Sequence, residues 1–137
     1  NQFLIKKEIA VKQRDKIMVC VTRQKTCERL IKVGKKLSTK VEGELKVVHV
    51  AKTGDNFLGN PDEGEALDYL FQISKTAGAD MTVLRAEDVV DKLVEFAEKN
   101  DVDVIVLGEG PRSKGDENII RKLELNLPNV EIRVIPA

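Results

Sequence analysis

Apolar positions along this chain keep two rhythms by turns. Short runs rich in Val and Ile alternate with longer stretches where apolar residues recur every three or four positions. The first rhythm predicts strands buried on both faces; the second predicts amphipathic helices. Ile17 to Thr22 (IMVCVT) is the first strand. From Thr26 the pattern turns helical, with Leu30, Gly34, Leu37 and Val41 at i, i+4, i+7 and i+11, and Ile31 and Val33 widening the stripe. Gly43 suits the C-terminal cap of that helix. Leu45 to Ala51 (LKVVHVA) is the second strand, and Lys52 to Pro61 (KTGDNFLGNP) is the one long turn-rich segment. Pro61, Asp62, Glu63 and Glu65 open a second helix. Its stripe is Leu67, Leu70, Phe71, Ser74 and Ala77, and Gly78 stops it. Ala79 to Leu84 is the third strand, Glu87 to Lys99 the third helix, and Val102 to Gly108 the fourth strand. A fourth helix, Glu117 to about Leu125, leads through Pro128 to a last strand, Val130 to Ile135 (VEIRVI).

Strict alternation of strand and helix predicts an α/β fold. It is a single doubly wound domain, a five-stranded parallel sheet with helices on both faces and right-handed crossovers. The domain covers residues 17–137, and by topology its last strand lies at the sheet edge. Residues 1–16 form an N-terminal arm or extra edge element. Within them FLIKKEIAV reads as an edge strand, a short helix, or an arm that packs on a partner.

Composition narrows the function classes. A chain of 137 residues holds one domain with a real core. Its 23 Lys and Arg balance 23 Asp and Glu, so nothing in the net charge marks a nucleic-acid or membrane binder. One Tyr and no Trp argue further against stacking on single-stranded nucleic acid. No apolar stretch approaches membrane-spanning length, and the basic, polar start is no signal peptide. Cys20 and Cys27 lie too far apart for a CxxC pair, and Cys20, inside a strand, behaves as a small hydrophobe. A cytoplasmic protein is expected. The chain does not open on Met, so it is read either as a free protein or as a domain of a longer one.

Candidate chemistry concentrates after the fourth strand, in GEGPRSKGDENII. Ligands of parallel sheets bind beyond the carboxyl ends of the strands, where loop amides meet a helix N-terminus. Gly108 to Gly115 is therefore the expected small-molecule site, and its character suggests a phosphate-bearing ligand. Arg112, Ser113 and Lys114 either clamp an anion there or form a solvated loop. His49, the sole histidine, alternates with Val47 on a strand, which predicts a packed or hydrogen-bonded ring. Cys27 falls at a helix N-terminus, a setting that lowers thiol pKa. The first helix carries a basic face, Lys25, Arg29, Lys32, Lys35, Lys36 and Lys40, which is either solvated or suits an acidic partner domain or an anionic surface. Enzyme signatures are missing. The first strand runs into TRQKTCE rather than Gly-x-Gly-x-x-Gly, and there is no Walker loop and no nucleophile with a histidine partner. Neither catalysis nor a metal site is expected.

Four segments together resemble the universal stress protein family: IMVCVTRQKTCERLIKVGKKLS, ELKVVHVA, GADMTVL and VEFAEKNDVDVIVLGEGPRS. The likeness is nearest to the version of that domain inside KdpD-type sensor kinases, and it covers Ile17 to Ile135. The family's Ser-Glu-Arg/Lys-Leu helix start has its counterpart in Cys27, Glu28, Arg29 and Leu30. The resemblance implies a universal stress (adenine nucleotide alpha hydrolase-like) fold. Its ATP-binding branch carries Gly-x-x-Gly, nine residues, then Gly-Ser or Gly-Thr after the fourth strand. Glycines there let backbone N–H groups approach phosphates. Here Gly108 is in place, Gly110 comes one residue early, and no Gly-Ser or Gly-Thr follows. Thr22 stands where ATP-binding relatives commonly carry Asp. These departures predict weak or absent ATP binding.

The resemblance implies a regulatory, non-enzymatic stress-signalling domain, and two readings of it stay open. In one, ATP or another adenine nucleotide is the cofactor and lies over Thr22, Arg23, Val50, Gly108, Gly110, Arg112, Ser113 and Gly115. In the other, the domain is a ligand-free dimerisation or interaction module with a degenerate ATP-binding loop. A homodimer is expected through Val130 to Ile135, antiparallel about a two-fold axis near Ile132, with Arg133 of one chain facing Glu131 of the other.

Overall fold

The computed structural model describes residues 15–109 and 114–136, with side chains from residue 119 onward in the second stretch. Of the arm expected at residues 1–16, residues 1–14 lie outside the described residues, and Lys16 belongs to the first strand. Elements follow in the order β1 (Lys16–Cys20), α1 (Gln24–Lys40), β2 (Glu44–Lys52), a 3-10 turn (Phe57–Gly59), α2 (Glu63–Thr76), β3 (Asp80–Ala86), α3 (Val89–Lys99), β4 (Val104–Gly108), α4 (Lys114–Asn126) and β5 (Glu131–Ile135). The five strands are parallel, in the order β3-β2-β1-β4-β5, so β5 does lie at an edge. Ile17 pairs with Leu45 on one side and Val104 on the other, and Cys20 with Val48 and Leu107.

The central strand reads as continuously apolar because both of its faces are covered. Ile17, Val19 and Val21 pack with Leu30 and Ile31 of α1 and with Ala66 and Leu70 of α2. Met18 and Cys20 point the other way, among Leu93 and Ala97 of α3 and Leu123 and Leu127 of the α4 region. Burying each of these aliphatic side chains is worth about 1.5–3 kcal/mol, so the two layers hold the sheet from both sides.

Local signals explain most element boundaries. Asp62 caps α2, its Oδ1 accepting from Glu65 N at 3.0 Å, and Asp88 caps α3 by the same bond to Asp91 N. That cap is why α3 begins at Val89 and not at Glu87. The end of α1 departs from expectation. The left-handed residue is Glu42, at φ 53°, while Gly43 N donates to Ser38 O at 2.8 Å. Gly43 is needed for a close approach, since a Cβ there would sit 2.4 Å from Asp15 O. Gly34 serves α1 similarly: a Cβ would meet Val19 Cγ2 at 2.3 Å, so the helix lies hard against β1. Two stripe positions are corrected. Val41 is 39% exposed and Phe71 48%, because the buried lines run through Cys27, Leu30, Gly34 and Ser38 on α1 and through Ala66, Leu70 and Ser74 on α2. Phe71 follows Leu70 by one residue, about 100° around the helix, and falls on its flank.

Candidate functional site

Strand order places a crevice between β1 and β4. The chain leaves β1 for α1 on one face of the sheet and leaves β4 for α4 on the other. The two connections diverge at the carboxyl ends of neighbouring strands, which is where open α/β sheets take their ligands. Thr22 and Arg23, both exposed, form the β1 bank, and Arg23 ends its strand-like backbone as the N-cap of α1 without a side-chain cap. Gly108 forms the β4 bank, half-buried against α1, where a Cβ would stand 3.3 Å from Leu30 Cδ1. Val50 is buried on β2, two residues past Val48, the register partner of Cys20. The fold thus brings Thr22, Arg23, Val50 and Gly108 to one end of the sheet. Gly110, Arg112 and Ser113 lie outside the described residues. Gly115 is corrected: α4 begins at Lys114, so Gly115 is helical backbone rather than part of the loop ahead of the helix.

His49 stands behind this end of the sheet with both ring nitrogens committed. It is 3% exposed. Nδ1 lies 2.8 Å from Val21 O, and Leu58 N donates to Nε2 at 2.9 Å. A carbonyl only accepts and an amide N–H only donates, so the ring is the neutral Nδ1–H tautomer. Burial holds its pKa below 6.5; the Val21 carbonyl opposes that shift and Arg85 adds to it. The expected hydrogen-bonded histidine is what the structure contains.

The turn-rich segment at residues 52–61 gives Lys52 to β2 and then folds back as a lid on His49. Leu58 is only 3% exposed and joins the core with Val21, Cys27 and Leu30, at the left-handed φ of 55°. Phe57 lies edge-on to His49, ring centres 6.0 Å apart, and the Arg85 guanidinium sits 4.2 Å from the Phe57 centroid. Arg85 Nη1 donates to Asp55 O at 2.7 Å and Nη2 to Glu63 Oε2 at 2.6 Å. The same carboxylate oxygen accepts from Phe57 N at 3.0 Å. The Phe57 amide, and after it Arg85, hold the Glu63 carboxyl below its ordinary pKa. Asn60 Nδ2 reaches across to Gln24 Oε1 at 3.0 Å, tying the lid to the first residue of α1. The signal for this was the apolar pair Phe57-Leu58 inside an otherwise polar, glycine-rich segment.

Cys27 corrects an expectation. It is fully buried, its thiol donates to Arg23 O at 3.1 Å, and burial pushes its pKa up to about 12. Desolvation outweighs the helix N-terminus here. Cys20, likewise buried, is also pushed up to about 12, and neither cysteine is in a disulfide. Among the described residues no group of three or more His, Cys, Asp or Glu is placed to hold a metal ion. No helix among them is long and apolar enough to cross a membrane.

Comparisons with known proteins agree on the architecture. A family model described as "Universal stress protein family" matches residues 13–121. The sensor protein KdpD of Mycobacterium tuberculosis is 29% identical over 101 residues, which is 74% of this chain and 11% of that protein. The chain therefore spans about a tenth of the length of that curated relative. Among solved structures, universal stress protein UspA from Lactobacillus plantarum superposes with a TM-score of 0.68 at 14% identity, covering 90% of this chain and 99% of that one. The universal stress protein from Archaeoglobus fulgidus in complex with dAMP gives 0.58 at 20% identity, covering 89% and 96%.

Proposed function

The chain belongs to the universal stress protein family, and from that premise we propose that it is a regulatory domain whose β1–β4 crevice takes an adenine nucleotide. The observation that carries this reading is the divergence of the two connections at the carboxyl ends of β1 and β4, with Thr22, Arg23 and Gly108 as its banks. Arg23 supplies a cation to a phosphate, and Gly108 leaves room for backbone to approach one. A monophosphate is favoured over ATP, because no Gly-Ser or Gly-Thr follows the fourth strand to seat further phosphates. The dAMP complex of the Archaeoglobus relative supports the ligand class. The reading is non-catalytic: His49 has no ring nitrogen to offer a substrate, and both thiols are buried and protonated. Calorimetric titration with AMP and ATP is the test. AMP binding that exceeds ATP binding and falls on Arg23→Glu supports the proposal; no heat from either at millimolar concentration overturns it.

One observation favours the ligand-free alternative. Leu58 fills the space beyond β1 and β2 with the chain's own apolar side chain, and His49 fastens it there. In that reading the domain works through protein contacts, with β5 as the dimerising edge. Ile132 and Val134 are half-buried on that strand, and its outer side has no strand neighbour among the described residues. Within one chain Arg133 Nε already donates to the Glu131 carboxylate. A dimer would therefore exchange that contact for its intermolecular equivalent. Ile132→Pro removes an edge N–H donor. A dimer built on β5 then falls to monomer in light scattering, and one that persists removes the proposal.

A further inference from the structure

Charge in this protein is balanced as a whole and lopsided on one helix. The 23 basic and 23 acidic residues cancel, yet α1 carries Lys25, Arg29, Lys32, Lys35, Lys36 and Lys40 against the single carboxylate of Glu28. Lys25, Arg29, Lys32, Lys36 and Lys40 recur at i, i+4, i+7, i+11 and i+15, so they form one stripe roughly 22 Å long on the outer side of the helix. Glu28 offsets little of this: it pairs with Lys32 at 3.5 Å on an exposed surface. Among the described residues neither Lys35 nor Lys36 is paired with a carboxylate.

Beside the stripe, α1 and α2 part to leave a groove of about 480 Å³. Its floor is Ile31, Ile73 and Ala77, and Glu28, Lys32, Lys35 and Lys36 form the α1 wall, three cations to one carboxylate. Gln72 and Thr76 form the opposite, uncharged wall. Lys35 reaches the end of α2, its Nζ lying 3.7 Å from where a Cβ on Gly78 would be. The α1 wall from Glu28 to Lys36 covers about 12 Å, two helical turns, which matches the span of i, i+4 and i+7 anchors on a docked helix.

We propose that this groove is a docking site for an acidic amphipathic helix of a partner protein. The partner's apolar face lies on Ile31, Ile73 and Ala77, and its carboxylates run along the lysine stripe. Two features select this occupant. The stripe is longer than the groove, so a small anionic amphiphile filling the groove leaves most of the positive charge unanswered. The floor is apolar, so a polyanion answering the charge leaves the floor wet. A helix with one acidic flank meets both at once.

The test uses this chain and a synthetic 18-residue helical peptide with Leu at i, i+4, i+7 and i+11 and Glu along one flank, followed by fluorescence anisotropy. Two peptide controls replace Glu by Gln, or Leu by Ser. Binding is expected to fall at least tenfold with either control and with Lys32→Glu/Lys36→Glu, and to weaken with added salt. Thr76→Trp, at an exposed helix position, fills the groove while leaving every charge of the stripe in place, and is also expected to cost at least tenfold. Amide shift changes in the unmodified protein are expected at Ile31, Ile73 and Ala77. The proposal is overturned by absence of binding, or by binding that ignores both Leu→Ser and Thr76→Trp. It is also overturned by laurate or phosphatidylglycerol vesicles displacing the peptide and shifting the same amides, which identifies an acyl ligand instead.

Discussion

Acid is expected to loosen the lid through His49 before it affects the rest of the fold. The folded state needs the neutral ring, because protonation places a second N–H at Nε2 against the Leu58 N–H only 2.9 Å away. Burial agrees, holding the folded pKa below the ordinary 6.5. The sign follows. Between those two values the unfolded chain binds a proton that the folded one does not, so acidification favours unfolding. The contribution of His49 to stability is full above pH 6.5 and is lost as pH falls below it. Its slope can reach about 1.4 kcal/mol per pH unit, the linkage value for one proton, until the folded pKa is passed. The measurement is urea unfolding at intervals from pH 8 to pH 5, for the native sequence and for His49→Gln, which cannot titrate. The variant is expected to be less stable at pH 8, since Leu58 N–H or Val21 C=O loses a partner at about 1–3 kcal/mol each. The gap between the two proteins is then expected to narrow as pH falls. Parallel profiles refute the reasoning. So does a directly observed ring titration at or above 6.5 in the native protein, a result that does not depend on the variant folding.

Three further outcomes follow from the packing and the site. Gly34→Val forces a branched side chain into the space 2.3 Å from Val19 Cγ2, and a loss near the top of the 1–3 kcal/mol range for overpacking is expected in denaturant melts; an unchanged midpoint contradicts the close approach of α1 to β1. Cys20 and Cys27 are expected to resist a thiolate-directed aromatic disulfide reagent until urea unfolds the chain, and rapid labelling of the native protein at pH 8 contradicts their burial. If AMP binds, Arg112→Glu is expected to weaken it by about 1.5–3 kcal/mol in calorimetry, the range for a hydrogen bond to a charged group, and unchanged affinity places the phosphate elsewhere.

Strand identity was legible because burial on both faces of a parallel sheet leaves an unbroken apolar run. IMVCV needs no tertiary knowledge to be recognised as a central strand. The alternation of elements then constrains topology strongly, since right-handed crossovers admit few arrangements. Element ends were less legible where two signals compete. Asp116 and Glu117 look like the acidic opening of a helix and leave Gly115 in the loop, yet α4 starts at Lys114. Glycine itself is ambiguous: Gly43 suits a helix C-terminal cap, while what it supplies here is the absence of a Cβ beside Asp15 O.

Around the candidate site, position along the chain is legible in the sequence and depth is not. The positions Thr22, Val50 and Gly108 follow from strand ends, which periodicity marks. Depth depends on what covers a residue, and the cover comes from distant chain. Cys27 sits at a helix start, where the local field alone lowers a thiol pKa; the opposite shift arises from burial in the core cluster that also holds Val21, Leu58 and Leu70. His49 was legible as a hydrogen-bonded ring, but its partners are main-chain atoms 28 and 9 residues away, and no residue type advertises them. The same holds for α1. Its lysine spacing is written in one helix and could be read, whereas the groove exists only because Gln72 to Ala77 arrive alongside Ile31 to Lys36. The groove therefore depends on how two helices, each ordinary alone, come to lie side by side. That is why charge reversal on α1 and groove filling on α2 must weaken the same complex if the proposed partner is real.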